Sequence, residues 1–290
     1  MTKGKAGAVL GLLTGALVWG LIWYPYRLLE EAGVSGSLAT LASYAVALAV
    51  AMALFRRELG PLLRPDLSLA LIALSAGWCN LAYVLGMIHG QVMQVLLLFY
   101  LAPLWTVVFA RLLLNERPGA AGAAVILLSL AGAVLMLWQP ATRLPLPRAA
   151  AEWLGLSSGF AFALSNVLIR KARHQTIRLK STAVFAGVVM VAVLVVPLDS
   201  GASAPLPMSV AWPHLALLIV IGLVLLATNL AVQHGLTLIS ANQAIVIMLT
   251  ELVVAAVSAY LLAGEALRWN EWAGGAMIVA ASLLSGRMRP

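Results

Sequence analysis

The sequence predicts an all-α polytopic membrane protein of ten transmembrane helices, arranged as a 5+5 inverted-topology repeat. Composition, the spacing of the apolar runs and an internal repeat predict this fold class. Of the 290 residues, 63% are hydrophobic and only 10% are charged, with a mean hydropathy of +1.01. Soluble domains carry about 25% charged residues. A chain this poor in charge lacks the polar surface to face water, so most of it must face lipid.

The apolar runs are continuous and separated by proline- and glycine-rich connections such as Arg117-Pro118-Gly119. Continuous runs of about 20 residues indicate spanning helices, whereas an outer-membrane barrel would show alternating segments of about ten. The least marked boundary lies between the third and fourth helices, at His89-Gly90. The predicted helices cover residues 6–25, 36–55, 67–88, 91–111, 119–138, 152–171, 180–198, 211–234, 239–262 and 271–287.

Lys and Arg are concentrated in every second connection, as expected where cytoplasmic loops carry the positive charge. Arg27, Arg143, Arg148 and Arg268 lie on one predicted side, and the other 14 of the 18 basic residues lie on the opposite side. Both termini are therefore predicted to face the cytoplasm of a bacterial inner membrane. The same distribution accounts for the net charge of +8, so the expected partner is the lipid bilayer and no nucleic acid is expected.

The two halves of the chain resemble each other. At a single offset of 149 residues, polar residues that are rare in this chain recur in pairs: Asn80 and Asn229, Gln94 and Gln243, Glu116 and Glu265. Chance alignment of Leu- and Ala-rich helices is the alternative, but the shared offset favours duplication. We predict repeats at residues 1–139 and 150–290, joined by a Pro-rich periplasmic connection at 140–149. Because five helices are an odd number, the second repeat must insert upside down, as in many secondary transporters.

The fourth predicted helix resembles a family signature. It runs from Gln94 through Phe-Tyr-Leu-Ala-Pro103 to Leu-Leu-Leu-Asn-Glu116, which is similar to the fourth helix of EamA-type carriers of the drug/metabolite transporter (DMT) superfamily. Glu251-Leu252 through Gly264-Glu265 resembles the second copy of the same element. Leu252 replaces a proline that is frequent in the family, and Asn115 replaces a glycine. Because this proline is missing, the sequence does not decide whether the second copy of the helix is kinked.

Within that superfamily the segment from Phe99 to Ala110 resembles the YddG type of aromatic amino-acid exporter, and a His-Gly pair is expected at each half's connection, at His89 and His234. The resemblance implies export of aromatic and related amino acids through a central cavity. The function expected is therefore secondary transport of small neutral or zwitterionic metabolites by alternating access. A proton-coupled multidrug or amine exporter of the same fold is the alternative.

Polar side chains within the predicted spans are candidates for lining that cavity, since such groups are costly in lipid and usually face an interior. Asn and Gln also join helices by hydrogen bonds, so a purely structural role is the competing interpretation. The polar candidates are Asn80, Gln94, Asn166, Asn229, Gln233, Asn242, Gln243 and Glu251. The aromatic wall candidates are Trp19, Trp23, Trp78, Tyr83 and Tyr100.

Glu251 and Pro103 are predicted to have special roles. Glu251 is the only acidic residue placed well inside a predicted span, which suits proton coupling or recognition of a substrate ammonium group. Pro103 removes the hydrogen bond to the Phe99 carbonyl and should act as a hinge in the fourth helix. The freed carbonyl would either line a cavity or be satisfied by a neighbouring side chain.

The residues that other kinds of function would require are missing from the sequence. The spans contain no catalytic cluster, the chain has no phosphate-binding Gly-x-x-x-x-Gly-Lys loop, and Cys79 is its single cysteine. We therefore expect no enzyme activity, no cofactor and no metal site, and a chain that works as a monomer. An intramembrane enzyme and a non-transporting assembly subunit are the remote alternatives. No Lys or Arg is placed away from the ends of a predicted span, which argues against phosphorylated substrates.

Overall fold

The computed structural model describes residues 3–60, 66–89, 92–138, 147–198, 212–263 and 268–285, and these residues form helices joined by short connections. The helices are α1 (Lys3–Leu21), α2 (Trp23–Glu31), α3 (Gly36–Phe55), α4 (Leu67–His89), α5 (Val92–Phe99), α6 (Ala102–Leu114), α7 (Ala120–Leu137), α8 (Ala150–Lys171), α9 (Ile177–Val195), α10 (Trp212–Leu238), α11 (Ala241–Met248), α12 (Thr250–Ala263) and α13 (Trp269–Leu284).

The all-α fold with its membrane-spanning helices is confirmed. Among the described residues, nine helical segments are long and apolar enough to cross a bilayer. Three of these nine combine two successive helices: α1 with α2, α5 with α6, and α11 with α12. The tenth predicted crossing corresponds to α13, an apolar helix of 16 residues. Each half therefore supplies five helical segments, and the second half enters the bilayer from the opposite side.

Several predicted boundaries were wrong, each for a local reason. The first span continues beyond Pro25 to Glu31, because Pro25 lies in the first turn of α2, where its missing N–H is not needed. The eighth span continues through His234-Gly235 to Leu238, so this pair does not mark a connection. Helix α9 begins at Ile177 because the Thr176 side chain accepts a hydrogen bond from the Leu179 amide.

Both halves contain a broken helix at the equivalent position. Pro103 lies in the first turn of α6, directly after the break at residues 100–101, and its role as a hinge stays a prediction. Helices α11 and α12 are also interrupted, at Leu249, although Leu252 replaces the proline. There the Thr250 hydroxyl donates a hydrogen bond of 2.7 Å to the Ile247 carbonyl. A hydroxyl bonded to the preceding turn bends a helix, so threonine supports the second break.

The helices pack in pairs that correspond when the two halves are exchanged. Helix α1 packs against α10, and its counterpart α8 packs against α4. Helix α3 packs against α10 and α9, and α9 packs against α4. Helices α7 and α13 pack against each other. This pattern is that of a pseudo-two-fold repeat, and it places the interface between the halves along α1, α4, α8 and α10.

Gly132 of α7 and Gly274 of α13 allow a close backbone contact between the two halves. A Cβ added to Gly132 would lie 2.8 Å from the Gly274 carbonyl oxygen, and one added to Gly274 would lie 2.5 Å from the Gly132 oxygen. Since both neighbours are backbone atoms, neither can move aside without separating the helices.

Replacing Gly274 by leucine is expected to lower the free energy of unfolding in detergent by at least about 3 kcal/mol, because the side chain forces α7 and α13 apart. Thermal unfolding of the purified protein measures the effect. Gly7→Leu is the matched control, since nothing lies within 4 Å of a Cβ added at Gly7. Equal melting temperatures for the two variants would contradict the close packing.

Candidate functional site

A cluster of charged residues closes one end of the helix bundle and joins its two halves. Glu116, just beyond α6, lies 3.2 Å from the Arg170 Nε in α8 and accepts a hydrogen bond of 3.0 Å from the backbone N–H of Ala241. Arg170 also donates to the Thr237 carbonyl at 2.6 Å. We call Glu116, Arg170, Lys180, Thr237 and the Ala241 N–H the end cluster. Glu116 is thus a pairing and capping residue.

Lys180 lies one turn inside a membrane-spanning segment, which corrects the prediction that no basic residue lies away from the ends of a span. It is in the first turns of α9 and has 0% exposure. Its ammonium group donates to the Thr237 hydroxyl at 2.8 Å and to the Ile169 carbonyl at 3.3 Å. The last turns of α8 and α10 therefore hold this cation through helix-terminal oxygens, where positive charge is favoured.

Two further contacts surround the end cluster at the same end. Arg178 pairs with Glu58, and Gln175 donates to the Asp66 carboxylate at 2.9 Å. The connections that carry most of the basic residues are thus grouped together at this end. That this end faces the cytoplasm stays a prediction.

Four of the predicted polar residues lie within the bundle with at least one buried polar atom that lacks a hydrogen-bond partner. We call them the interior amides: Asn166, Asn229, Gln233 and Asn242. Gln233 is 1% exposed and neither of its side-chain polar atoms is paired. An unpaired buried polar group costs about 1–3 kcal/mol. Because unpaired buried amides lower the stability of the fold, their presence favours a role in binding a polar solute.

The interior amides begin one helical turn inside the end cluster. Asn166 precedes Arg170 by four residues on α8, and Gln233 precedes Thr237 by four residues on α10. Four residues correspond to about 6 Å along a helix and return to the same face. Asn242 is adjacent to Ala241, whose N–H binds Glu116. Polar groups therefore continue inward from the closed end between the two halves.

Glu251 lies near the middle of the ninth span, beside the first-half residue Tyr100. The Tyr100 side chain lies beside the Glu251 carboxyl. The Tyr83 hydroxyl and the Cys79 thiol are near enough to interact electrostatically with the same carboxyl. Glu251 therefore meets the first half at the level where both halves have their broken helices.

Aromatic rings connect this carboxyl to the interior amides. Phe99 packs against Tyr83 and Tyr100 with ring centroids 5.1 Å apart in each case, and against Phe162 at 5.5 Å. Phe162 lies four residues before Asn166 and on the same face of α8. The polar and aromatic candidates are thus continuous along the interface between the halves.

The freed carbonyl of Phe99 does not meet a neighbouring side chain but lies against the backbone of α8. A Cβ added to Gly159 would overlap the Phe99 oxygen, so only glycine permits this approach. The helix break after Phe99 is thereby held directly against the first helix of the second half.

The remaining candidates are dispersed. Trp19 is partly buried and packs on the apolar core around α1 and α10. Trp23 donates to the Ser258 hydroxyl at 2.9 Å. Trp78 is 43% exposed and donates to Ser157 at 3.3 Å, so this side chain lies at the outer surface of the bundle. Gln243 is partly buried, and its backbone N–H donates to the hydroxyl of Ser240, which caps α11. The Gln94 side chain lies outside the described part of the structure, as does Glu265.

Asn80 and Asn229 occupy equivalent places in the two repeats but differ in pairing. The Asn80 side chain accepts from the Tyr44 hydroxyl at 2.9 Å and donates to the Ala76 carbonyl at 3.0 Å. The Asn229 Oδ1 is buried and unpaired. Asn80 therefore joins helices, whereas Asn229 retains a free acceptor.

Replacing Asn80 by alanine is expected to lower the free energy of unfolding by about 1–3 kcal/mol, since it leaves the buried Tyr44 hydroxyl unpaired. Asn229→Ala should lower the free energy of unfolding by less than Asn80→Ala does, and it should weaken solute affinity more than Asn80→Ala does. Thermal unfolding and the half-saturating solute concentration of both variants measure the difference. The reverse ranking would show that Asn229 is the structural residue.

Sequence reasoning missed the end cluster as a unit. Glu116, Arg170 and Lys180 are far apart in sequence, and each was placed in a connection or at a helix end. The sequence signal for the position of Lys180 was Thr176. Threonine is favoured at the start of a helix, and a helix that begins after Thr176 places Lys180 one turn inside it. Among the described residues, no group of three His, Cys, Asp or Glu could hold a metal ion.

Comparison with known proteins agrees with this architecture. The model of the EamA-like transporter family matches residues 6–138 and 149–287. A search of the curated proteins finds no match. One solved crystal structure is similar with a TM-score of 0.77 over 96% of each chain, at 17% sequence identity, which shows a shared fold alone. Because the family model matches both halves and nearly the whole length, the chain belongs to the EamA-like transporter family, with one family repeat in each half.

Proposed function

We propose that this protein is a secondary transporter that exports small neutral or zwitterionic metabolites, above all aromatic and related amino acids. The observation that carries the proposal is the set of interior amides with unpaired buried atoms at the interface between the two repeats. Inverted-repeat transporters bind their solutes near the bilayer midplane between the repeats. Membership of the family makes the chain a membrane transporter, and the amides support a polar solute.

The chemistry along the interface suits an amino acid with an aromatic side chain. Amide groups can both donate to a carboxylate and accept from an ammonium group. The rings of Tyr83, Phe99 and Phe162 offer apolar faces next to these amides, and solute sites combine such walls with a few polar groups. Glu251 would accept from the ammonium group.

Alternating access would follow from movement of one repeat against the other. The end cluster closes one end in this structure, since Glu116 of the first repeat is bound by Arg170 and Ala241 of the second. The broken helices α5–α6 and α11–α12 supply bending points at the same level in both repeats. Opening would require the end cluster to separate and a contact at the other end to form.

Glu251 favours a second candidate function, proton-coupled export of amines or other organic cations. Glu251 lies beside a tyrosine of the opposite repeat and, among the described residues, forms no ion pair; such a carboxyl within a span is suited to exchange a proton for a cation. In both cases we propose that the protein works as a monomer in a bacterial inner membrane. No enzymatic role is part of either proposal.

Uptake and counterflow of radiolabelled phenylalanine, tyrosine and tryptophan into liposomes containing the purified protein test both functions. Each run is made with and without an imposed proton gradient, and with tetraphenylphosphonium as a competitor. Saturable amino-acid flux that ignores the gradient is the expected result. Gradient-driven movement of the cation without amino-acid flux would instead favour the amine exporter, and flux of neither class would contradict both.

A further inference from the structure

The second repeat carries an anion site that Glu116 of the first repeat occupies. The Glu116 carboxylate contacts the Arg170 guanidinium through one oxygen at 3.2 Å and the Ala241 N–H through the other at 3.0 Å. The Glu116 and Arg170 side chains are only 12% and 15% exposed. Arg170 is held in place by its hydrogen bond of 2.6 Å to the Thr237 carbonyl. The ligand in this site is therefore a carboxylate held in a largely dry environment.

The site contains more positive charge than Glu116 neutralises. Arg170 and Lys180 are neighbours, since Arg170 donates to the Thr237 carbonyl at 2.6 Å and Lys180 donates to the Thr237 hydroxyl at 2.8 Å. Among the described residues, no carboxylate forms an ion pair with Lys180. An ammonium group has three donors, and two of them are used by Thr237 and Ile169. A fully buried cation without a carboxylate partner is costly, which favours a function that needs the charge.

All the positive groups of this site belong to the second repeat, on α8, α9 and α11, whereas Glu116 belongs to the first. When the repeats separate at this end, Glu116 leaves with α6, and Arg170, Lys180 and the Ala241 N–H remain together. They would then face the opened interior with no anion bound. The unpaired atoms of Asn166 and Gln233 lie one turn deeper on the same helices.

We infer that Arg170, Lys180 and the Ala241 N–H form a carboxylate-binding site that the transported solute occupies in place of Glu116 when this end opens, before the solute moves on to Glu251, about 15 Å further along α11 and α12. The inference rests on the proposed function and names the part of the solute that is recognised. One carboxylate replaces another in this exchange. Because the solute carboxylate takes the place of the Glu116 carboxylate, the net charge of the occupied site is the same before and after. The site would thereby favour zwitterions over amines of the same size.

Counterflow in liposomes with phenylalanine and with phenethylamine tests this, since the second compound has the same ring and ammonium group but no carboxylate. Lys180→Met is expected to raise the half-saturating phenylalanine concentration about ten-fold, the effect of one charge-assisted hydrogen bond, and to leave that of phenethylamine unchanged. Lys180→Arg should restore most of the phenylalanine affinity. Lys171→Met, an exposed lysine at the end of α8, is the control. Equal effects on both compounds would overturn the inference.

A binding measurement tests the site independently of transport. In Glu116→Gln the resident carboxylate is removed, so 3-phenylpropionate is expected to raise the melting temperature of the detergent-purified protein more than 3-phenylpropan-1-ol does. If the acid stabilises this variant no better than the alcohol, the site does not exist. If the acid binds but liposomes show no amino-acid flux, the proposed function fails while the carboxylate site stands.

Discussion

Glu251→Gln is expected to reduce solute flux at least ten-fold and, if the protein is the proton-coupled amine exporter, to remove the response of the flux to an imposed proton gradient. Glutamine has nearly the same size as glutamate and retains a hydrogen-bonding oxygen for Tyr100. It cannot carry a negative charge or exchange a proton, so loss of function would follow from the charge and not from packing. Liposome flux measured across a range of pH values gives both quantities.

The two candidate functions predict different phenotypes for this variant. If the protein exchanges protons for cations, gradient-driven flux is lost but downhill counterflow persists. If Glu251 binds the ammonium group of an amino acid, the half-saturating concentration rises with or without a gradient. Tyr100→Phe removes the neighbouring hydroxyl of the first repeat and should produce a weaker version of the same change. Glu31→Gln is the control, since its side chain is 62% exposed.

Normal transport by Glu251→Gln at every pH would exclude Glu251 from both functions. Its proximity to Tyr100 would then be a structural contact between the repeats. The solute would in that case be recognised by the interior amides and the end cluster alone.

Arg170→Met is expected to open the end of the bundle that the end cluster closes. The substitution leaves the buried Glu116 carboxylate without its cation, and breaking a buried ion pair costs about 3–5 kcal/mol. Separation of the repeats at this end would return Glu116 to water and relieve part of that cost. The fraction of molecules open at this end should therefore rise.

Thiol labelling measures this opening. Ala241→Cys places a reporter at a position that is 2% exposed in the closed end, and Cys79, the only native cysteine, is buried. Arg170→Met in this background should raise the labelling rate at least ten-fold. Arg178→Met is the matched control because its pair with Glu58 is more exposed, at 57% and 34%. Adding Glu116→Gln should recover stability, since no uncompensated charge then remains.

An unchanged labelling rate in Arg170→Met would show that apolar packing, not the end cluster, keeps this end closed. The core around Leu12, Leu236 and Ile239 lies close by and would be the next contact to test.

The helix break in the second repeat illustrates where sequence pattern was insufficient. Pro103 predicts the first break, because proline has no backbone N–H to donate to the preceding turn of the helix. The second break has no proline, and Leu252 gave no reason to expect it. At this break the Thr250 hydroxyl bonds the preceding turn, but Ser75 makes an equivalent bond within the unbroken helix α4, so the sequence pattern alone does not mark the break.

Membrane class, the helical segments, the repeat offset and the polar candidates in the spans followed from the sequence by itself. Each is a local or periodic property: lipid demands continuous apolar helices, and duplication leaves one offset. Only the tertiary structure decided that Asn80 is paired while Asn229 is not, that Tyr100 meets Glu251, and that Glu116, Arg170 and Lys180 form one cluster. Those contacts join residues 36 to 151 positions apart, and the angle and depth at which helices pack determine them.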